Sequence, residues 1–219
     1  MSKERYQFIN DEYKLALRKC AHYIRHDRIQ GDYLEFGVFN GFSLKHMYDL
    51  RIEFELDKIS NLRLFGFDSF EGFPPNETTS FHFKEGQMSG DYDRLLKYFP
   101  PFELNTQVHL IKGYFNNTLT QDLKDEKNLT RAAIINIDCD LFDSTLEALT
   151  FSDPLIQLGT LLIFDDWFCY KGNPEYGEQG AFNLWMKQNS RSFKWVEFFR
   201  YGVHGKILLC VGIDENDKE

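Results

Sequence analysis

Residues 33–43 read Y-L-E-F-G-V-F-N-G-F-S. An apolar run ends in a carboxylate at Glu35, Gly37 and Gly41 follow, and a segment with Leu44, Met47 and Tyr48 on one helical face begins near Ser43. This is a strand, a glycine-containing turn and a helix, the repeating unit of parallel α/β sheets. Other apolar runs end the same way: L-F-G-F-D at Asp68, I-I-N-I-D at Asp138, and L-L-I-F-D-D at Asp165 and Asp166. Parallel strands alternating with helices bring their C-terminal ends to one edge, where open α/β sheets bind ligands. A solvated surface acid has no reason to recur at the tips of buried strands.

Working outward, strands are expected at about 33–37, 63–68, 107–111, 132–138 and 160–165, followed by 193–200 and 206–212. The last two flank Y-G-V-H-G and read as an antiparallel hairpin. Helices are expected over 11–26, from Ser43 (a potential N-cap), near 91–98, over 144–158 with a kink or break at Pro154, and over 181–189. Asp143 is placed as the cap of the helix starting at Ser144, and 170–180 as loop. The irregular stretch 74–101, with Pro-Pro at each end, has the length of a lid or substrate loop. The expected fold is α/β: a seven-stranded Rossmann-like sheet of five parallel strands plus a C-terminal antiparallel hairpin, with helices on both faces. No repeat or linker interrupts it, so 1–219 is expected to be one domain with an N-terminal helical segment at 1–30.

The composition is 42% hydrophobic and 16% aromatic, enough for a substantial core, and some of the 22 Phe are expected to line a cleft. A net charge of −9 argues against a nucleic-acid partner, which needs clustered Lys and Arg. No run reaches the ~18 apolar residues of a membrane span. The N-terminus M-S-K-E-R-Y-Q-F lacks a signal peptide's apolar core, and Cys20, Cys139, Cys169 and Cys210 have no C-x-x-C spacing. Reduced thiols and a cytoplasmic location are expected.

Gly37 suits a tight turn, and Gly41 a close backbone approach to a ligand. Glu35 is a poor neighbour for a diphosphate but a good one for an ammonium group. Asp68, at the tip of the second strand, stands where nucleotide-binding α/β folds hold ribose hydroxyls. The alternatives are a plain strand–turn–helix corner and a turn-forming aspartate. The strongest chemical signal is I-D-C-D-L-F-D-S-T (137–145) beside I-F-D-D-W-F (163–168). Carboxylates converging at adjacent strand tips repel unless a cation compensates, and an oxygen-only set suits Mg²⁺, Mn²⁺ or Ca²⁺. The expected ligands are Asp138, Asp165 and Asp166, with Asp140 as an alternate or supporting partner. The competing reading is that these acids only cap helices. Trp167, Phe168 and Tyr170 are either cleft walls or core aromatics.

Together E-F-G-V-F-N-G-F-S, G-F-D-S-F-E-G-F-P (66–74), K-G-Y-F-N-N-T-L (112–119), I-D-C-D-L-F-D-S-T and I-F-D-D resemble the macrocin O-methyltransferase family over about residues 30–190. These are class I enzymes that use S-adenosylmethionine (SAM) and modify sugar hydroxyls. The resemblance implies that Glu35 and the turn Gly37, Phe39, Asn40, Gly41 and Ser43 hold the methionine end of SAM. It places Asp68, Ser69 and Phe70 at the ribose, and Gly113, Tyr114 and Phe115 near adenine. It gives Asp138, Asp165 and Asp166 a divalent metal, Mg²⁺ foremost, that binds the acceptor hydroxyl. The more distant catechol O-methyltransferases carry a lysine three residues after the first metal acid. Leu141 stands there in this chain, which leaves Asp140 and His204 as candidate bases beside Asp138. The implied partner is a sugar or glycosylated small molecule, and the family's habit makes a homo-oligomer an expectation. Rival readings are a catechol or phenol O-methyltransferase, a nicotinamide-dependent oxidoreductase, disfavoured by the missing G-x-G-x-x-G, and a non-catalytic nucleotide-binding domain.

Overall fold

The centre of the sheet is A-A-I-I-N-I, buried at every position, beside D-Y-L-E-F, buried likewise. Strands covered on both faces read as continuous apolar runs, which is why the parallel core was visible in the sequence. The computed structural model describes residues 3–75, 84–101, 103–189 and 191–215. Its strands are β1 (Asp32–Phe36), β2 (Leu64–Asp68), β3 (Val108–Lys112), β4 (Ala132–Ile137), β5 (Leu161–Phe164), β6 (Arg191–Tyr201) and β7 (Gly205–Glu215). They form one sheet in the order β3-β2-β1-β4-β5-β7-β6, parallel through β5, with β7 antiparallel to β5 and to β6.

The helices are α1 (Lys3–His26), α2 (Phe42–Glu53), α3 (Leu56–Ile59), α4 (Tyr92–Leu96), α5 (Phe115–Thr118), α6 (Gln121–Glu126), α7 (Phe142–Ser152) and α8 (Gly177–Gln188). Two apolar clusters lie on opposite faces. Tyr33, Leu64, Ile134, Leu161 and Ile163 pack with α1 and α2. Leu34, Phe36, Phe67, Ile135, Ile137 and Phe164 pack with α7 and α8. Glu35 pairs in register with Gly66 and Asn136, and Asn136 with Ile163. Strand side chains alternate between faces with period two, so stepping two residues on places Asp68, Asp138 and Asp165 on the α1–α2 face of the C-terminal edge. No helix among the described residues is long and apolar enough to cross a membrane.

Several boundaries differ from the sequence reading. The N-cap of α2 is Gly41, at φ 75°, and Ser43 turns its hydroxyl inward to Glu35 instead. The N-cap of α7 is Leu141, which puts Asp143 inside the first turn with no side-chain cap formed. Of the kink or break expected at Pro154 the structure shows the break: α7 ends at Ser152, short of 158, and a 3₁₀ turn occupies Asp153–Leu155. The segment assigned to loop at 170–180 holds a 3₁₀ turn at Tyr170–Gly172 and the start of α8. Of the lid segment, 76–83 lie outside the described residues, and 91–98 contain the single short helix α4, capped by Asp91.

Gly37 sets the spacing of the whole edge. Its φ is 91°, and a Cβ there would stand 1.9 Å from the Asp138 carbonyl oxygen, so backbone meets backbone between the tips of β1 and β4. Gly41 is constrained differently, by the Leu95 side chain of α4, 2.1 Å from where its Cβ would be. Gly37→Ala combines a left-handed backbone penalty with that clash. We expect a loss of about 2–4 kcal/mol and a thermal midpoint lower by about 5–15 °C, measured by calorimetry. A change below about 1 °C would contradict the close approach.

Candidate active site

Along the edge lies a cavity of about 730 Å³, in the upper part of the ~300–1,000 Å³ range of small-molecule sites. Gly37, Val38, Phe39, Asn40, Phe42 and Ser43 form one wall, and Asp68 and Ser69 continue it after β2. Tyr114, Phe115, Asn116 and Asn117 follow β3. Asp138, Cys139, Asp140, Asp143 and Ser144 follow β4, and Asp165 follows β5. Pro74, Pro75 and Met88, from the segment read as a lid, make a rim together with Phe73 just before it. The expected aromatic lining is therefore supplied by Phe39, Phe42, Phe73 and Phe115. Trp167 is a core residue instead, packed edge-on against Phe164 and Phe182.

At the β1–β2 end, Asp68 ties two turns together. Its Oδ2 accepts the Val38 and Phe39 amides, each at 2.7 Å, and its Oδ1 accepts the Phe70 amide at 2.6 Å. A carboxylate has about four acceptor positions, so one remains for a ligand in the cavity. Glu35 sits one layer behind the wall, fully buried. Its Oε1 accepts from Ser43 Oγ at 2.8 Å and its Oε2 from the Tyr33 hydroxyl. Burial pushes its carboxyl up to about 7, against the pull of those hydrogen bonds. Ser43, not Glu35, presents its surface to the cavity. Phe70 is turned away onto Tyr92, and Gly113 and Gly41 likewise lie off the wall.

At the β4–β5 end the acids meet. Asp138, Asp165 and Asp166 each bring one carboxylate oxygen within 4.8 Å of the others. That is the span of a hard cation's coordination sphere, whose bonds run from ~2.1 Å for Mg²⁺ to ~2.4 Å for Ca²⁺. Burial, then the charges of Asp165 and Asp166, hold Asp138 well above the usual carboxylate range. Burial and Asp166 do the same to Asp140. Asp165 is pushed up to about 7, by burial first and then by Asp166. Among the described residues no Lys or Arg forms an ion pair with any of them. Asp140 lies on the wall in a left-handed conformation, φ 61°. His204, in the β6–β7 turn, reaches Asp166 from the side away from the cavity, with Nδ1 3.9 Å from Oδ1.

The sequence did not reveal two members of the cluster. Glu178, at the start of α8, is fully buried. Its Oε2 accepts the Asp166 amide at 2.9 Å, its Oε1 has no partner, and burial followed by the Asp166 charge raises its carboxyl well above normal. Within G-E-Q-G it reads as a solvated loop acid. Tyr13 comes from α1. Its hydroxyl accepts from Asn136 Nδ2 at 2.7 Å and donates to Asp138 Oδ2 at 3.2 Å, while its ring stacks on Tyr201 at 5.2 Å. The available signal was Asn136 itself: a polar residue inside I-I-N-I needs a buried partner.

Comparison with known proteins places this geometry in context. The model of the macrocin-O-methyltransferase (TylF) family matches residues 5–179. The 8-demethyl-8-(2,3-dimethoxy-alpha-L-rhamnosyl)-tetracenomycin-C 4'-O-methyltransferase of Streptomyces olivaceus is 28% identical over 160 residues, 69% of this chain and 58% of that protein. The mycinamicin III 3''-O-methyltransferase of Micromonospora griseorubida is 25% identical over 206 residues, 86% of this chain and 73% of that protein. This chain thus spans 58% of the length of the first of these relatives. The solved structure of the O-methyltransferase NovP superposes with a TM-score of 0.72 at 18% identity, covering 92% of this chain and 80% of that one. The calicheamicin methyltransferase CalS11 gives 0.69 at 20% identity, over 90% and 77%. Both carry the same fold.

The buried carboxyls make stability depend on pH in a defined direction. Glu35 rises from 4.5 to about 7 on folding, so the folded state binds the extra proton between those values. Its contribution is complete below the unfolded value and is lost as pH climbs through the folded one. With divalent cations chelated, we expect the thermal midpoint to fall between pH 5 and 8, with Glu35 accounting for on the order of 2–3 kcal/mol. Glu35→Gln should flatten that slope in calorimetry at several pH values. An unchanged slope would remove Glu35 as its source.

Proposed function

The chain belongs to the macrocin-O-methyltransferase family, and from that premise we propose that it is an O-methyltransferase. It moves the SAM methyl group to a hydroxyl of a sugar or glycosylated small molecule, assisted by a divalent cation, Mg²⁺ foremost. The observation that carries this reading is the pairing, along one cavity, of an Asp68-organised turn with an uncompensated acid cluster. The names of the curated relatives support a glycosylated acceptor, one of them specifying a rhamnosyl-bearing compound.

In this reading the turn from Gly37 to Ser43 receives the methionine end, with Ser43 at the surface and Glu35 holding its hydroxyl. The free acceptor position of Asp68 takes a ribose hydroxyl, and Tyr114 and Phe115 flank the adenine. Asp138, Asp165 and Asp166 would hold the cation. The donor set fits: carboxylate oxygens only, no internal counter-charge, and an orphan Glu178 oxygen behind them. Such an ion supplies a lowered pKa and a fixed position for the acceptor hydroxyl. Asp140, on the wall where His204 is not, takes the hydroxyl proton as the carbon–sulfur bond breaks and the carbon–oxygen bond forms. Phe39, Phe42 and Phe73 keep water from the reacting atoms, and the rim residues Pro74, Pro75 and Met88 select the acceptor.

A radiolabelled methyl-transfer assay over sugars, glycosides and phenols, with Mg²⁺ and with EDTA, tests this. We expect turnover on a sugar or glycoside that EDTA abolishes and Mg²⁺ restores. Asp140→Asn should lower kcat by about 10²–10⁴ while leaving SAM affinity unchanged. Full activity in EDTA, or in Asp165→Ala plus Asp166→Ala, would sink the metal role; transfer to phenols alone would sink the sugar assignment.

A further inference from the structure

The turn after β5 and the β6–β7 turn bring together a second set of ligand atoms, of which methyl transfer leaves those of Cys169 and His204 unused. Cys169 Sγ donates to Asp166 Oδ1 at 2.8 Å and lies 3.4 Å from His204 Nδ1. The third edge, His204 Nδ1 to Asp166 Oδ1, is 3.9 Å. Main-chain bonds hold all three in place. The Cys169 amide donates to the Asp166 carbonyl at 3.0 Å, and the Phe168 amide to the His204 carbonyl at 3.2 Å. Tetrahedral Zn²⁺, with bonds of ~2.0–2.3 Å, sets ligand–ligand edges of about 3.3–3.5 Å. In the observed triangle the Cys169–His204 edge falls in that range, the His204–Asp166 edge is longer and the Cys169–Asp166 edge shorter. Its short edge is a thiol–carboxylate hydrogen bond whose proton an ion would replace.

The donor types also matter. The oxygen-only trio suits a hard cation, whereas thiolate, imidazole and carboxylate together favour a borderline-soft one. The neighbouring acids supply a field that attracts cations. The His204 side chain is 43% exposed, so an ion can reach this corner from solvent.

We propose that Asp166, Cys169 and His204 form a second divalent-cation site, selective for Zn²⁺ over Mg²⁺, that shares Asp166 with the acid trio. On binding, the Cys169 S–H bond is exchanged for an S–Zn bond and the proton leaves to solvent. Because one carboxylate serves both positions, each ion weakens the other by the same factor. The site needs no methyl transfer to be occupied, so its failure and that of the enzymatic reading are separable.

Co²⁺ titration of the full chain, followed by absorbance, tests the proposal. We expect a thiolate-to-cobalt charge-transfer band that saturates at one equivalent and is erased by Zn²⁺ at equimolar concentration but not by Mg²⁺. The band should be absent in Cys169→Ser and retained in Asp138→Asn. His204→Ala should raise the Zn²⁺ Kd at least tenfold in competition with a chromogenic chelator. This variant alters a turn residue and decides the matter if Cys169→Ser fails to fold by circular dichroism. No band at saturating Co²⁺, a band that survives Cys169→Ser or vanishes in Asp138→Asn, or an unchanged Kd in His204→Ala would each overturn the site.

Discussion

Four half-buried aspartates and one buried glutamate crowd together without a Lys or Arg partner among the described residues, and the structure is organised around them. Asp138, Asp140, Asp165, Asp166 and Glu178 stand at the tips of two adjacent strands and the start of one helix, and those with raised pKa values owe them to burial and mutual repulsion. Assembling such a group costs stability unless protons or a cation neutralise it. The surrounding architecture is arranged to hold it. Backbone contact between Gly37 and Asp138 fixes the two central strand tips. Tyr13, delivered by the N-terminal helix, hydrogen-bonds Asp138 from the opposite side. Glu178 anchors the Asp166 amide.

That arrangement divides one sheet edge into two chemistries. Around β1 and β2, Asp68 accepts from three backbone amides that shape the turn, and Glu35 accepts from the Ser43 and Tyr33 hydroxyls. These acids are engaged by the protein's own donors, with one acceptor position of Asp68 left for a ligand. Around β4 and β5 the acids accept from Tyr13 and Cys169 but have no Lys or Arg partner among the described residues, which leaves their charge unsatisfied. The cavity spans both, so a cofactor's charged sulfur and an activated hydroxyl can meet along it. The same logic explains the Cys169–His204 corner: it borrows charge from the unsatisfied half without opening onto the cavity.

The central sheet was legible because doubly covered strands are unbroken apolar runs with abrupt polar ends. The outer pair was less so. β6 alternates partly exposed positions along most of its length, and its ends lie beyond what the apolar pattern marks. Caps were misread at Ser43 and Asp143, since a small polar residue beside a helix start looks the same whether it bonds the helix or the core. The acid trio was visible because its members end strands. Tyr13 was not: its hydroxyl reaches a residue 125 positions away, and nothing local separates it from the other apolar positions of α1. Glu178 was hidden by glycines on either side of G-E-Q-G, which read as loop although they start a buried helix.

The proposal that the acid cluster holds a hard divalent cation at one end of a SAM-binding cavity is open to test by a crystal structure with S-adenosylhomocysteine and Mn²⁺ that records the manganese anomalous signal. One anomalous peak is expected within about 2.3 Å of oxygens from Asp138, Asp165 and Asp166, with the nucleoside ribose on Asp68. A nucleoside bound elsewhere, or a fully occupied cofactor with no anomalous density among those three aspartates, would contradict it.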